Sequence, residues 1–253
     1  MAGPSPTTPE ALHTEAARGI TRPEAGAVAA LAVPVSAVLW SYLMDAAGLP
    51  LLPWLMLTLT AVSAAAGLAL FWPRARDTGG AGLMLAAVVA GLSCWLLWLA
   101  RPSLFPLSTG PDLTHHLILI RYIESHWRLV HDAAVERFLG EMAQYTPGSH
   151  VLAALAGAWS GTDGLRALHS LQALAVALKA GFLLLIALRL LPPRAPRVLA
   201  MSSIALLFGA PRYFLGEFTE FGFLAQVVAE TFVRSEEHTS ELQSPYVISY
   251  AVF

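Results

Sequence analysis

Four stretches of this chain are apolar over about the length that a bilayer asks of a helix, and that fact limits the fold more than any other. They are "AVAALAVPVSAVLWSYLMDAA" (27–47), "LLPWLMLTLTAVSAAAGLALFW" (51–72), "GLMLAAVVAGLSCWLLWLA" (82–100) and "LRALHSLQALAVALKAGFLLLIALRLL" (165–191). A span of hydrocarbon about 30 Å thick needs roughly 20 apolar residues in a helix, because lipid offers backbone N–H and C=O groups no partners. A fifth apolar run near 198–215 reads as a further span. Composition agrees: 56% of residues are hydrophobic and 13% charged, which excludes an ordinary soluble domain. The expected fold class is therefore all-α, a polytopic transmembrane helical bundle.

The single cysteine, Cys94, lies inside an apolar run, so no disulfide framework can form within one chain. Pro34 is tolerated in a span as a kink. Trp54, Trp72, Trp95 and Trp98 fall toward span ends, where an aromatic belt would stand. Residues 1–26 are polar and Pro-rich and read as a disordered tail. Arg18 and Arg22 precede the first span, Arg74 and Arg76 follow the second, and the turn between them has no Lys or Arg. The positive-inside rule places the N-terminus in the cytoplasm and the loop at about 101–150 outside. Arg189, Arg194 and Arg197 then argue that the 165–191 span ends inside. For that parity to hold, the short apolar piece at 150–161 must be re-entrant or interfacial; a dozen helical residues reach only about 18 Å.

The closing residues are of another kind. "RSEEHTSELQS" (234–244) and "ISYAVF" (248–253) match two consecutive blocks of a translated short-read sequencing adapter, in one frame and correctly spaced. Residues 234–253 are expected to be an artefact tail and the native protein to continue beyond Val233, so that 27–233 is a truncated transmembrane domain. Without Arg234, Glu236, Glu237 and Glu241 the basic and acidic residues balance, which leaves no electrostatic case for a nucleic-acid partner.

The external loop carries the chemistry-bearing side chains. In "GPDLTHHLILIRYIESHWRLV" a helix from Asp112 to about Val130 would put Asp112, His116, Leu119, Ile123, Trp127 and Val130 on one face. His115 and His126 flank that face. Arg121, Glu124, Ser125 and Arg128 point the other way, with Glu124 and Arg128 forming a surface pair. An acid at the head of an apolar stripe, one turn from two imidazoles, has two readings. It is a general base tuned by apolar walls, with His115 or His116 open to a divalent metal; or it is a first-turn acid favoured by the helix dipole. Tyr145 and His150 in "YTPGSHVLAALAG", and Glu217, Glu220 and Gln226 in "GEFTEFGFLAQ", return to the same external side in this topology. Acids at a membrane boundary are either functional or simply interfacial.

The order of these pieces resembles the type C membrane glycosyltransferase superfamily, polytopic enzymes that use polyprenyl-phosphate-linked sugars. Asp112 of "GPDLTHHLILIRYI" matches the family's essential loop Asp. "YTPGSHVLAALAGAWSGTDGLRALHSLQAL" matches its Pro-led short helix, with a closing Gly161 and the basic Arg166 opening the next span. The match covers about 108–191. It departs in having two spans before the usual first one and Leu113 where a second acid is common.

The resemblance implies an extracytoplasmic loop of amphipathic helices. It implies Asp112 as the catalytic residue and His115, His116, Tyr145, His150, Glu217 and Glu220 as substrate-binding candidates. His115 and His116 are also the candidate ligands for a divalent metal ion. The implied partners are membrane lipid, a lipid-linked sugar donor and a glycan or lipid acceptor, at a bacterial plasma membrane. Two other functions remain open on the residues alone: a transporter or flippase, with ionisable groups inside spans, and a non-catalytic membrane assembly protein.

Overall fold

Helices form where the apolar runs predict them. The computed structural model describes residues 20–75, 80–101, 111–131, 133–191 and 197–208. They build α1 (Arg22–Ala46), α2 (Pro53–Phe71), α3 (Ala81–Leu99), α4 (Pro111–His126), α5 (Glu136–Leu139), α6 (Gly148–Ser160), α7 (Gly164–Leu190) and α8 (Arg197–Phe208). Four of these, α1, α2, α3 and α7, are long and apolar enough to cross a membrane. There is no strand among the described residues, and the chain is an all-α, polytopic membrane protein.

The first helix begins at Arg22 rather than near residue 27. Thr21 and Glu24 form a capping box: the Thr21 hydroxyl accepts from Glu24 N, and the Glu24 carboxylate accepts from Thr21 N at 2.8 Å. Pro23 occupies the first turn, where a missing N–H costs nothing. These polar residues start the helix that the apolar pattern alone dates later. The expected tail therefore shortens, and its residues 1–19 lie outside the described residues, as do 209–253 with the adapter-like stretch.

Helices α1 and α2 form a hairpin, tied where Trp40 Nε1 donates to Ser63 Oγ at 3.0 Å. Helix α7 packs on α3, α6 and α8 and is the most buried span; α2 and α3 present most of their surface outward. The outward side chains include Trp54, Trp72, Trp95 and Trp98, each at the end of a span. In water such a surface would be an aggregation site; against lipid it needs no cover.

The largest core lies at one end of the bundle. Leu119, Ile120 and Ile123 of α4 pack with Val151, Leu152 and Leu155 of α6, Leu51 and Met56 at the start of α2, Ala37 of α1 and Leu168 of α7. The inward stripe read from the sequence is therefore present from His116 through Ile123, but α4 stops at His126 rather than Val130. Trp127 takes a left-handed φ of 49°, its N–H still bonded to Ile123 O, and its carbonyl accepts from Leu51 N at 2.7 Å. The reversal is held from α1: the Asp45 carboxylate accepts from Leu129 N and meets His131 Nε2 at 2.6 Å.

Helix α6, at 13 residues and about 20 Å, is too short to cross. Its first residue, Gly148, lies against Val38, about 12 Å back along α1 from the end at Ala46. Near its last turn, Trp159 Nε1 donates to Pro53 O at the start of α2. The helix thus starts at the depth of the α1 interior and climbs back to the level where α2 begins. Gly161, at φ 70°, ends it, and Asp163 caps α7 through Arg166 N. At the other end of α7, Arg189 makes a two-pronged pair with Glu24, Nη2 to Oε2 at 2.8 Å. The start of α1 and the end of α7 share one side of the bundle, and α4 and α6 share the other.

Candidate functional site

The helical cap brings three of the sequence candidates together. His116, in the second turn of α4, and His150, in the first turn of α6, are both buried, and His116 Nδ1 lies 2.8 Å from His150 Nε2. Tyr145 stands edge-on to both rings, with centroids 5.6 Å from each. The segment that carries it turns through Pro147 into α6, so Tyr145 closes the outer side of the pair while remaining 36% exposed.

Burial, and secondarily the His116 imidazole beside it, push His150 down to about 3. At neutral pH its ring is therefore uncharged. An uncharged imidazole has one donor and one acceptor nitrogen, and His150 uses both: Nε2 toward His116, Nδ1 toward Ser149 Oγ at 3.4 Å. Either tautomer of His150 satisfies both contacts, provided that His116 takes the matching one, so the pair is a neutral, hydrogen-bonded unit.

Asp112 lies in the first turn of α4, one turn before His116. His115 is exposed while His116 is buried, since consecutive helical residues diverge by about 100°. The two do not converge as a ligand pair; His116 faces His150 instead. Among the described residues no three metal-ligating side chains come together. One nitrogen of each buried ring faces the other, His116 Nδ1 toward His150 Nε2. Glu217, Glu220 and Gln226 lie outside the described residues.

Glu124 differs from its expected role. Its carboxylate is only 12% exposed; one oxygen accepts from the backbone N–H of Gly164, at the start of α7, and the other meets Arg121 at 3.4 Å, not Arg128. A Cβ on Gly164 would stand 2.6 Å from Ile120 Cγ2, so the residue lets α4 approach the α7 N-terminus closely enough for that bond. The carboxylate there completes the positive end of the helix dipole.

Two features escaped sequence reasoning. Asp45 sits within the apolar run 27–47, and an acid inside such a span is itself a signal. On α7, His169, Gln172 and Lys179 are all buried on one face. Recognising the face requires knowing which side of α7 turns inward.

The fold and this cap define a polytopic helical membrane protein with a buried imidazole pair at one end. Comparison with known protein families, with curated proteins and with solved structures finds no match for this chain.

Proposed function

We propose that the chain belongs to an integral-membrane glycosyltransferase that moves a sugar from a polyprenyl-phosphate donor to an extracytoplasmic acceptor. Its N-terminus is cytoplasmic and its membrane the bacterial plasma membrane. The observation that carries the reading is the cap itself: α4 and α6 pack at one end of the spans with the buried His116–His150 pair one helical turn from Asp112. Lipid-linked donors present their reactive carbon at such a boundary, between hydrocarbon and water.

In the proposed reaction Asp112 takes the proton of an acceptor hydroxyl. The acceptor oxygen bonds to the anomeric carbon, and the bond from that carbon to the phosphate oxygen breaks. Polyprenyl phosphate leaves with the electron pair. Asp112 then loses that proton to water, while the uncharged His150, His116 and Tyr145 serve as substrate-binding groups of the same cap.

The test is sugar transfer by the full-length protein in proteoliposomes, with a radiolabelled polyprenyl-phosphate sugar as donor. Asp112→Asn should lower turnover at least about 100-fold, the scale of a lost general base, with folding retained. Unchanged transfer removes Asp112 from the mechanism.

A second reading, a transporter or flippase, is favoured by one observation, the buried polar face of His169, Gln172 and Lys179 along a span. Under it, Lys179→Met abolishes substrate flux and the protein forms no transfer product.

A further inference from the structure

The imidazole pair lies where a dissolved molecule can scarcely touch it: His150 is 0% exposed and His116 is buried beside it. A group that binds substrate has to be reached, so one of the walls around the pair has to move.

Those walls are held with unequal firmness. Helix α4 turns Leu119, Ile120 and Ile123 into the core, and Glu124 ties it to the start of α7. Helix α6 is buried along most of its length, and Trp159 ties its last turn to Pro53. The third wall is the segment 133–147, which sets Tyr145 against both rings. Its longest helix is the four-residue α5, between 3₁₀ turns at Ala133–Val135 and Gly140–Ala143. Among its described side chains only Leu139 and Met142 are buried, and Phe138 stands in the open. Short turns that bury few side chains are the parts of a fold that open at least cost.

The chain enters this segment through a strained turn and a clamp. Trp127 holds a left-handed φ of 49°, which its surroundings impose on it. The Asp45 carboxylate of α1 accepts from Leu129 N and meets His131 Nε2. The Asp45 side chain is sheltered, but His131 is 69% exposed, so water competes for its side of the contact. Releasing the clamp also lets Trp127 relax, and that relief offsets part of what opening loses.

We propose that residues 133–147 are a strap over the imidazole pair, hinged at Trp127 and latched by Asp45, whose opening admits the acceptor from the outer aqueous side. The entry of an acceptor rests on the glycosyltransferase reading; the movement itself is measurable without any substrate.

Cysteine accessibility of the full-length protein in proteoliposomes, in a background otherwise free of cysteine, reads the movement. Ser149→Cys is the reporter, since Ser149 is buried with its Oγ 3.4 Å from His150 Nδ1. A charged, membrane-impermeant methanethiosulfonate should modify it slowly in the parent and about ten-fold faster with Asp45→Ala, the scale of one lost buried contact. Asp45→Asn should give an intermediate rate. Ala154→Cys, buried where α6 meets α7, should react equally in all three, which separates opening of the strap from loss of the fold. In a second arm, Asp45→Cys and His131→Cys are bridged by a short bis-methanethiosulfonate. Sugar transfer should then fall at least about ten-fold, as for a lid held shut, and return on reduction. Equal modification of Ser149→Cys in the parent and Asp45→Ala overturns the strap, as does parallel acceleration at Ala154→Cys. Undiminished transfer by the bridged protein overturns its role in admitting the acceptor. A parent that transfers no sugar removes the glycosyltransferase reading instead, and the labelling rates alone then decide whether the strap opens.

Discussion

Asp45 Oδ2 lies 2.6 Å from His131 Nε2, joining the last turn of the first span to a loop 86 residues later. The other carboxylate oxygen accepts from Leu129 N, so one side chain holds the chain just after its left-handed turn at Trp127. A non-glycine residue in that region costs on the order of 1–3 kcal/mol and persists only when its surroundings hold it.

Asp45→Ala should therefore lower stability by about 1–2 kcal/mol, a few degrees in Tm, and open the segment 127–135 to protease. Asp45→Asn keeps an acceptor for Leu129 N and should lose less. Equal cleavage rates in the parent and Asp45→Ala would show that the turn stands without the clamp.

The buried, uncharged His150 makes stability depend on pH. Its folded pKa, about 3, is below the ordinary 6.5, so between those values the unfolded chain binds a proton that the folded chain does not. Stability is full above pH 6.5 and falls as pH drops through the window. At pH 5 this one group should remove about 2 kcal/mol relative to pH 7.5. Thermal unfolding of the detergent-purified protein at the two pH values measures the loss. His150→Asn should flatten the difference; an unchanged acid sensitivity would assign it to other groups.

The junction of α6 with α7 leaves no space for side chains at two glycines. A Cβ on Gly157 would stand 2.5 Å from the Asp163 carbonyl carbon and from Gly164 N, and backbone there cannot move without uncapping α7. Gly157→Ala and Gly164→Ala should each destabilise by about 1–3 kcal/mol. Gly91→Ala, with nothing within 4 Å, should instead gain about 0.5–1 kcal/mol from helix propensity. Similar Tm values for all three would mean that the helices do not meet so closely.

The pairing of Glu24 with Arg189 puts the start of α1 and the end of α7 on one side of the bundle, and single-cysteine labelling reads this directly. In a Cys94→Ser background, Arg121→Cys and Phe138→Cys, at positions 78% and 82% exposed, should react with a membrane-impermeant maleimide added outside intact cells. Arg189→Cys should react only after permeabilisation. Reversed labelling would invert the proposed orientation. Labelling of Arg121→Cys and Arg189→Cys from the same side would contradict the arrangement in which α6 turns back.

The spans were legible because lipid obliges each one to satisfy its own backbone, which writes its length into consecutive residues. Periodicity likewise placed Leu119, Ile123 and His116 on the inward face of α4, since 3.6 residues per turn relates only near neighbours. Gly161 at the close of α6 came from the family resemblance rather than from periodicity, and the Asp163 cap of α7 was not read from the sequence. Which imidazole meets His116 was not local: His150 lies 34 residues away. Nor were Glu124 at the α7 N-terminus, 40 residues on, or Glu24 with Arg189, 165 residues apart. Apolar side chains are nearly as well placed against lipid as against another helix, so hydrophobic pattern alone does not say which spans become neighbours. Close packing of small residues and paired polar groups made that choice, and they act only once the helices have come together.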